Sequence, residues 1–341
     1  MKDQDIPLLE VKNLESYIST PKGEMKPVNG VSFSIQKGEI VALVGESGSG
    51  KSVTSLSIMQ LNDSAIKYKS GSIISLNEVN LLDLNEKEMR KIRGNRIAMV
   101  FQDPMFSLNP LHPIGEQIAE SIVLQKKVKY KEALKTALDL LKKVGIPDAE
   151  RRLKDYPHQL SGGMRQRIMI AIALACKPDL LIADEPTTAL DVTIQAQVLN
   201  LLRNLQQEFG LSILLITHDL GVVAETADRV LVMYCGKIVE EGSVNDIFES
   251  PRHPYTKGLM ESIPAIHGTS EETLAAIPGV VPNLLELPAG CNFVKRCAYA
   301  TEKCKTDEPS LLQHPSGNKV ACWHPLKEGE VIRHAAAVSY S

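Results

Sequence analysis

No run of apolar residues among these 341 is long enough to cross a bilayer. The longest, such as residues 168–176, fall well short of the roughly 20 residues that a spanning helix needs. An N-terminal basic segment followed by an apolar one is also missing; residues 1–7 are polar and charged, which argues against a secretory signal. A soluble, cytoplasmic protein is therefore expected. Neither sign of charge is in excess: 38 Lys and Arg stand against 41 Asp and Glu, a net charge of −3, so nucleic acid is disfavoured as the main partner. Cysteine is scarce, at six residues, and in a reducing compartment six cysteines argue against a disulfide framework. Yet four of the six lie between 291 and 322, and that clustering needs its own account. The hydrophobic fraction of 43% is ordinary and allows a sizeable core. The length suits one large domain with an appendage.

Against this background, residues 45–52 stand out: Gly45-Glu46-Ser47-Gly48-Ser49-Gly50-Lys51-Ser52. An apolar run, 39–44, precedes them and a helix-compatible stretch, 52–60, follows. Strand, glycine-rich loop and helix is the context that a phosphate-binding P-loop requires. The three glycines let successive backbone N–H groups turn inward toward phosphate oxygens, and the following helix adds its positive end. Lys51 reaches the β- and γ-phosphates, and the Ser52 hydroxyl suits Mg²⁺. The residue pattern indicates a nucleoside triphosphate site.

Other chemistry-bearing residues fall at the ends of strand-like segments. Residues 8–17 and 28–35 read as antiparallel strands around a turn at Pro21-Lys22-Gly23, with Tyr17 placed either to stack on a base or to lie half-buried. Gln102 follows a buried strand at 96–101; an amide there suits a metal or an attacking water. Residues 114–145 turn helical, an insertion between sheet strands and a candidate docking surface. Ser161 caps the next helix, whose mouth carries Gly162 and Gly163 and forms a second anion-seeking terminus. Asp184 and Glu185 end the strand that starts at 179. Two carboxylates there are costly unless they bind something; Asp184 can hold Mg²⁺ and Glu185 can polarise water. Asp191 caps a helix to about Gln207. A strand over 211–217 ends at His218, on the same edge as Gln102 and Glu185, where it can contact a γ-phosphate. A hairpin over 229–240 closes the series.

Taken together, these segments resemble an ATP-binding-cassette (ABC) ATPase over about residues 8–250. Gly45–Ser52 matches the P-loop, Gln102 the Q-loop, and Leu160–Gln166 the family signature. Residues 180–184 match Walker B with Glu185 as catalytic acid, residues 189–191 the D-loop, His218 the switch histidine, and Tyr17 the adenine-stacking aromatic. The signature is the most specific of these. The resemblance implies an α/β P-loop NTPase fold: a mixed core sheet, an antiparallel β subdomain and a helical subdomain at about 103–176, within a cassette spanning 1–250. It also implies ATP sandwiched between two cassettes, so Ser161–Gly163 and Gln166 serve the partner's nucleotide. Lys51-Ser52-Val53-Thr54-Ser55, Phe101-Gln102-Asp103-Pro104 with Asn109-Pro110, and His253-Pro254-Tyr255-Thr256 look like the D-type ATPases of oligopeptide/dipeptide importers. Importers of nickel and other small solutes share these runs. The partners implied are a second, non-identical ATPase, two membrane-spanning permeases and an extracytoplasmic solute-binding protein, with no nucleic acid, at the cytoplasmic face of the membrane. A non-transport cassette ATPase acting on nucleic acid or ribosomes usually has two cassettes or a long coiled-coil insertion, and neither is present.

The tail, 251–341, is expected to form a small Cys-rich C-terminal domain. Cys291, Cys297, Cys304 and Cys322 are separated by five, six and seventeen residues, unlike the knuckles of common zinc sites. Lys295, Arg296, Lys303 and Lys305 interleave them and would offset thiolate charge. A [4Fe–4S] cluster, a zinc site (on the four cysteines or with His324 replacing one), and unliganded buried thiols all remain open on spacing. The tail is similar to that of peptide importers holding a structural [4Fe–4S] cluster, and this resemblance favours the first.

Overall fold

The computed structural model describes residues 6–102, 107–187, 191–262 and 277–327. Expectations at 103–106, at residues 189 and 190 of the D-loop, and at 263–276 and 328–341 lie outside the described residues. The first layer is an antiparallel sheet. Strands β1 (Leu9–Thr20) and β2 (Gly23–Ile35) form its hairpin, and β4 (Ile66–Tyr68), β5 (Ile73–Leu76) and β6 (Val79–Asn80) complete it. On β1 and β2 one face is apolar, with Leu9, Val11, Leu14, Val28, Val31 and Ile35 buried, which is the period of two that a half-buried sheet demands.

The second layer carries the site. Its central strands are β3 (Ile40–Val44), β7 (Ile97–Val100), β8 (Leu180–Asp184), β9 (Ser212–Thr217) and β10 (Arg229–Tyr234), in the order β10-β3-β9-β8-β7 and all parallel. Strands β3, β8 and β9 are buried along their whole length, so they read as unbroken apolar runs, as strands covered on both faces must. Strand β11 (Lys237–Ser243) adds antiparallel to β10, and two short tail strands, β12 (Leu312–Gln313) and β13 (Lys319–Val320), extend the sheet beyond it.

Helices fill both sides. Helix α1 (Lys51–Met59) leaves the P-loop, and α2 (Glu86–Ile92) starts at a capping box between Asn85 and Glu88. Between β7 and β8 lie α3 (Ile114–Lys126), α4 (Tyr130–Lys143), α5 (Ala149–Arg152) and α6 (Gly162–Leu174), packed around Ile118, Ile122, Ala137, Leu141 and Ile168. The helical insertion expected at 114–145 is made of two helices, divided where Lys127 takes a left-handed φ of 54°. Helices α7 (Val192–Phe209), α8 (Leu220–Thr226), α9 (Val244–Glu249) and α10 (Pro254–Glu261) follow, and α11 (Glu302–Thr306) lies in the tail. Among the described residues no helix is long and apolar enough to cross a membrane.

The tail packs on the cassette through an aromatic cluster. The rings of Tyr234, Tyr255 and Phe293 sit 4.6–5.4 Å apart in tilted and edge-on pairs. Beside them, buried His253 caps α10, its Nδ1 accepting the Tyr255 N–H at 3.0 Å. Burial pushes its pKa down to about 3. Because that lies below the unfolded value of about 6.5, the unfolded chain takes up the proton first. The contribution of His253 is therefore intact above about pH 6.5 and is lost as pH falls toward the folded pKa. Glu240, which accepts the Arg252 and His253 N–H groups, is pushed up by burial and slopes the other way. Comparing variants isolates the histidine. His253→Asn, whose amide oxygen caps without titrating, is expected to recover up to about 2 kcal/mol of the stability lost between neutral pH and about pH 5, checked by thermal melts across pH.

Candidate nucleotide site

The parallel register aligns the carboxyl ends of the central strands. Val44 lies beside Thr217, Asp184 beside Ile216 and Val100 beside Ala183, so the residues that follow these strands share one edge. Such an edge is where open α/β sheets bind ligands.

The loop after β3 has the backbone that its glycines permit. Gly45, Gly48 and Gly50 have φ of 153°, 77° and 107°. A Cβ on Gly45 would lie 2.1 Å from the Met233 carbonyl oxygen, and one on Gly50 2.3 Å from that of Pro27. Both positions therefore exclude any side chain. Helix α1 begins with Gly50 at its cap and no side-chain hydrogen bond there, which leaves its first N–H groups for an anion. Lys51, only 6% exposed, donates from Nζ to the carbonyls of Gly45 at 2.7 Å and Glu46 at 3.0 Å. Burial lowers its pKa, opposed by the charges of Glu185, Asp184 and Glu46.

Carboxylates face this lysine. Asp184 is 8% exposed; burial raises its pKa, while a hydrogen bond from Ser52 and the Lys51 charge lower it. A buried carboxylate joined to the Ser52 hydroxyl fits Mg²⁺, which takes one or two carboxylates and completes its shell with phosphate oxygens and water. Glu185 follows with φ of 47°, unusual for a residue with a side chain, and its N–H is held by the Ile216 carbonyl at 2.8 Å. Its two carboxylate oxygens meet the other sequence-predicted catalytic residues: Gln102 Nε2 donates at 2.7 Å to one, and His218 Nδ1 lies 3.1 Å from the other. Three strand ends thus deliver Gln102, Glu185 and His218 to one point.

The remaining predicted residues lie further out. The Ser161 hydroxyl accepts the Met164 N–H at 3.3 Å as the cap of α6. A Cβ on Gly163 would come 2.8 Å from Ile194 Cγ2, so this glycine also permits close packing on α7. Gln166 is 2% exposed, and its Nε2 has no hydrogen-bond partner among the described residues. Asp191 caps α7 by accepting the Ile194 N–H at 2.9 Å. Tyr17 is half-buried on β1 with Lys69 Nζ 5.0 Å from its ring centre.

Residues 28–188 match the ABC transporter family, and residues 239–304 match the family described as oligopeptide/dipeptide transporter, C-terminal region. The oligopeptide transport ATP-binding protein AppD of Bacillus subtilis (strain 168) is 58% identical over 94% of this chain and 98% of its own. The chain belongs to the ABC transporter family, among the ATP-binding subunits of oligopeptide/dipeptide type. The dipeptide transport ATP-binding protein DppD of Escherichia coli (strain K12) is 47% identical over the same shares. Among solved structures, the ATP-binding cassette MJ0796 in a dimeric post-hydrolysis state bound to ADP and Pi is 30% identical, with a TM-score of 0.62 over 69% of this chain and 98% of that one. The ABC cassette fold follows from these relations as well as from the two sheets.

The tail departs from expectation in two respects. Cys291, Cys297, Cys304 and Cys322, all free thiols, line one cavity of about 20 Å³ with His324. That is the space of about one water, and among the described residues no three His, Cys, Asp or Glu side chains are placed to hold a metal ion. The iron–sulfur and zinc readings therefore meet no formed centre here. Burial pushes the thiols of Cys291 and Cys297 up, and that of Cys322 to about 12. Three of the four interleaved cations, expected from the spacing to offset thiolate charge, have other partners. Arg296 pairs with Glu46, Lys305 with Glu302, and Lys303 lies 3.6 Å from the ring centre of Trp323. Arg296 and Tyr255, both of which contact the P-loop, were not legible as site residues in the sequence.

Proposed function

We propose that this chain is the ATP-hydrolysing subunit that energises import of oligopeptides or dipeptides across the cytoplasmic membrane. One observation carries the chemistry: Glu185 is held between Gln102 and His218 beside Lys51. Bound as substrate, ATP places its phosphates against the N–H groups of Gly45–Ser52 and the Lys51 ammonium. Glu185 accepts a proton from the attacking water, while Gln102 and His218 fix its carboxylate and line the γ-phosphate end. Ser52 and Asp184, with Gln102, would hold Mg²⁺, which neutralises charge on the phosphate oxygens. Tyr17 stacks on the base, and Asp191, at the end of the D-loop, is a further nucleotide-binding residue. Ser161, Gly162 and Gly163, together with Gln166 behind them, serve the nucleotide of a second, non-identical ATPase. The dimeric state of the related MJ0796 cassette supports the pairing of two cassettes, though not their non-identity.

In this reading residues 1–250 are the cassette and 251–341 a Cys-rich C-terminal domain. The helical subdomain, about 103–176, meets two permease subunits at the cytoplasmic face, and an extracytoplasmic binding protein delivers the peptide. The names of the peptide-transporter relatives support this assignment. The four tail thiols line one cavity and would be the donors for a structural [4Fe–4S] cluster, with zinc as the alternative, although the cavity as it stands has room for about one water. Iron and sulfide analysis after anaerobic purification separates them. Co-purification tests the whole assignment. Recovery with two polytopic membrane proteins, and ATPase activity that peptide-loaded binding protein raises, are expected. Recovery with ribosomes or nucleic acid instead would overturn it.

A further inference from the structure

A carboxylate puts a negative charge into a phosphate-binding loop. Glu46 is the second residue of Gly45–Ser52, and its charge is felt at the Lys51 ammonium. A triphosphate entering this loop meets that negative charge unless something cancels it. The cancelling group comes from 250 residues away. Arg296 donates from Nη1 at 2.6 Å and from Nη2 at 2.9 Å to the two Glu46 oxygens, the bidentate fork that arginine makes and lysine does not.

Its side chain is 4% exposed, and its other bonds keep the guanidinium in place. Nε donates to the Pro278 carbonyl at 2.9 Å, and the Tyr234 hydroxyl lies 3.4 Å from Nη1. The rings of Tyr234 and Phe293 stand 5.8 Å from the guanidinium carbon. A second tail contact grips the same residue by its backbone: the Glu46 N–H donates to the Tyr255 hydroxyl at 2.8 Å. Glu46 is thus held at its side chain and at its main chain by residues beyond the cassette.

We propose that Arg296 is a positioning residue for ATP: it neutralises Glu46 and fixes the phosphate-binding loop, so that nucleotide affinity depends on the tail. The proposal rests on reading residues 45–52 as the ATP loop. Arg296 acts through Glu46. It sits in the short turn Val294–Arg296, between Cys291 and Cys297 of the thiol-lined cavity, so the packing of that turn sets where the guanidinium points.

The test is equilibrium binding of ATP to the full-length chain, with Arg296→Met made both in the native background and in the Glu46→Gln background. The first substitution leaves a carboxylate unopposed in the loop and is expected to weaken ATP about tenfold. In the Glu46→Gln background the same substitution is expected to cost less than about threefold, because no charge remains to be neutralised. A merely structural arginine would cost the same in both backgrounds. In the assembled transporter the loss should fall on KM for ATP rather than on kcat. Should Arg296→Met not fold, Arg296→Lys takes its place, with a loss of about threefold that Glu46→Gln again abolishes. Affinity unchanged by either Arg296 substitution, or an equal loss in both backgrounds, overturns the proposal. Lys51→Ala serves as the separate control: ATP affinity retained there would refute the ATP loop itself, not the role of Arg296.

Discussion

Glu185→Gln is expected to lower ATP hydrolysis by about 10²–10⁴-fold while ATP binding persists. The amide keeps the shape of the carboxylate, whose two oxygens lie 2.7 Å from Gln102 Nε2 and 3.1 Å from His218 Nδ1, and can still meet both residues. What it cannot do is accept a proton from water. Binding survives because the phosphates are held elsewhere, by the loop backbone, Lys51 and the bare end of α1. Single-turnover hydrolysis and ATP binding, measured on the same assembled preparation, separate the two effects. Hydrolysis at the native rate would remove Glu185 from the chemistry. Loss of binding together with hydrolysis would mean that the substitution damaged the pocket rather than the proton acceptor.

Lys51→Ala should do the opposite, weakening ATP by roughly 10–100-fold through loss of charge-assisted bonds to phosphate. The nucleotide-free protein should be little affected. Its buried ammonium bonds to two carbonyls at 2.7 and 3.0 Å, and burial lowers its pKa, so the desolvation cost and the bonds largely offset each other. A melting temperature within about 4 °C of the native value is expected without ATP, with little of the rise that ATP gives the native chain. Calorimetric binding and thermal melts with and without ATP check both halves. Native ATP affinity would contradict the role given to Lys51.

Much of this site was legible in the sequence because its residues obey local rules. Gly45, Gly48 and Gly50 announce a left-handed backbone, and the apolar strands β3, β8 and β9 announce their own burial. Gln102, Glu185 and His218 could be placed on one edge since each ends such a strand. Helix α2 was passed over although Asn85 and Glu88 carry the capping-box spacing that marks its start. Other features had no local signal. Nothing near Arg296 in the chain indicates a carboxylate 250 residues away, so its charge was assigned to the neighbouring thiols. The side of α6 that Gln166 faces depends on how α6 packs, and its signature position concealed its burial. The tail cysteines lay between these cases: their clustering was visible and they do line one cavity, but the size of that cavity depends on long-range packing.

The central claim is that ATP turnover at this site drives peptide uptake. Its most direct test is accumulation of a radiolabelled oligopeptide by vesicles containing the assembled transporter, with ATP supplied on the side of the ATPase subunits and peptide-loaded binding protein on the other. Uptake that needs ATP, stops with Glu185→Gln and is not supported by nickel or nucleic acid is the predicted result. ATP hydrolysis at full rate with no peptide accumulation, or accumulation that Glu185→Gln leaves intact, would contradict the account.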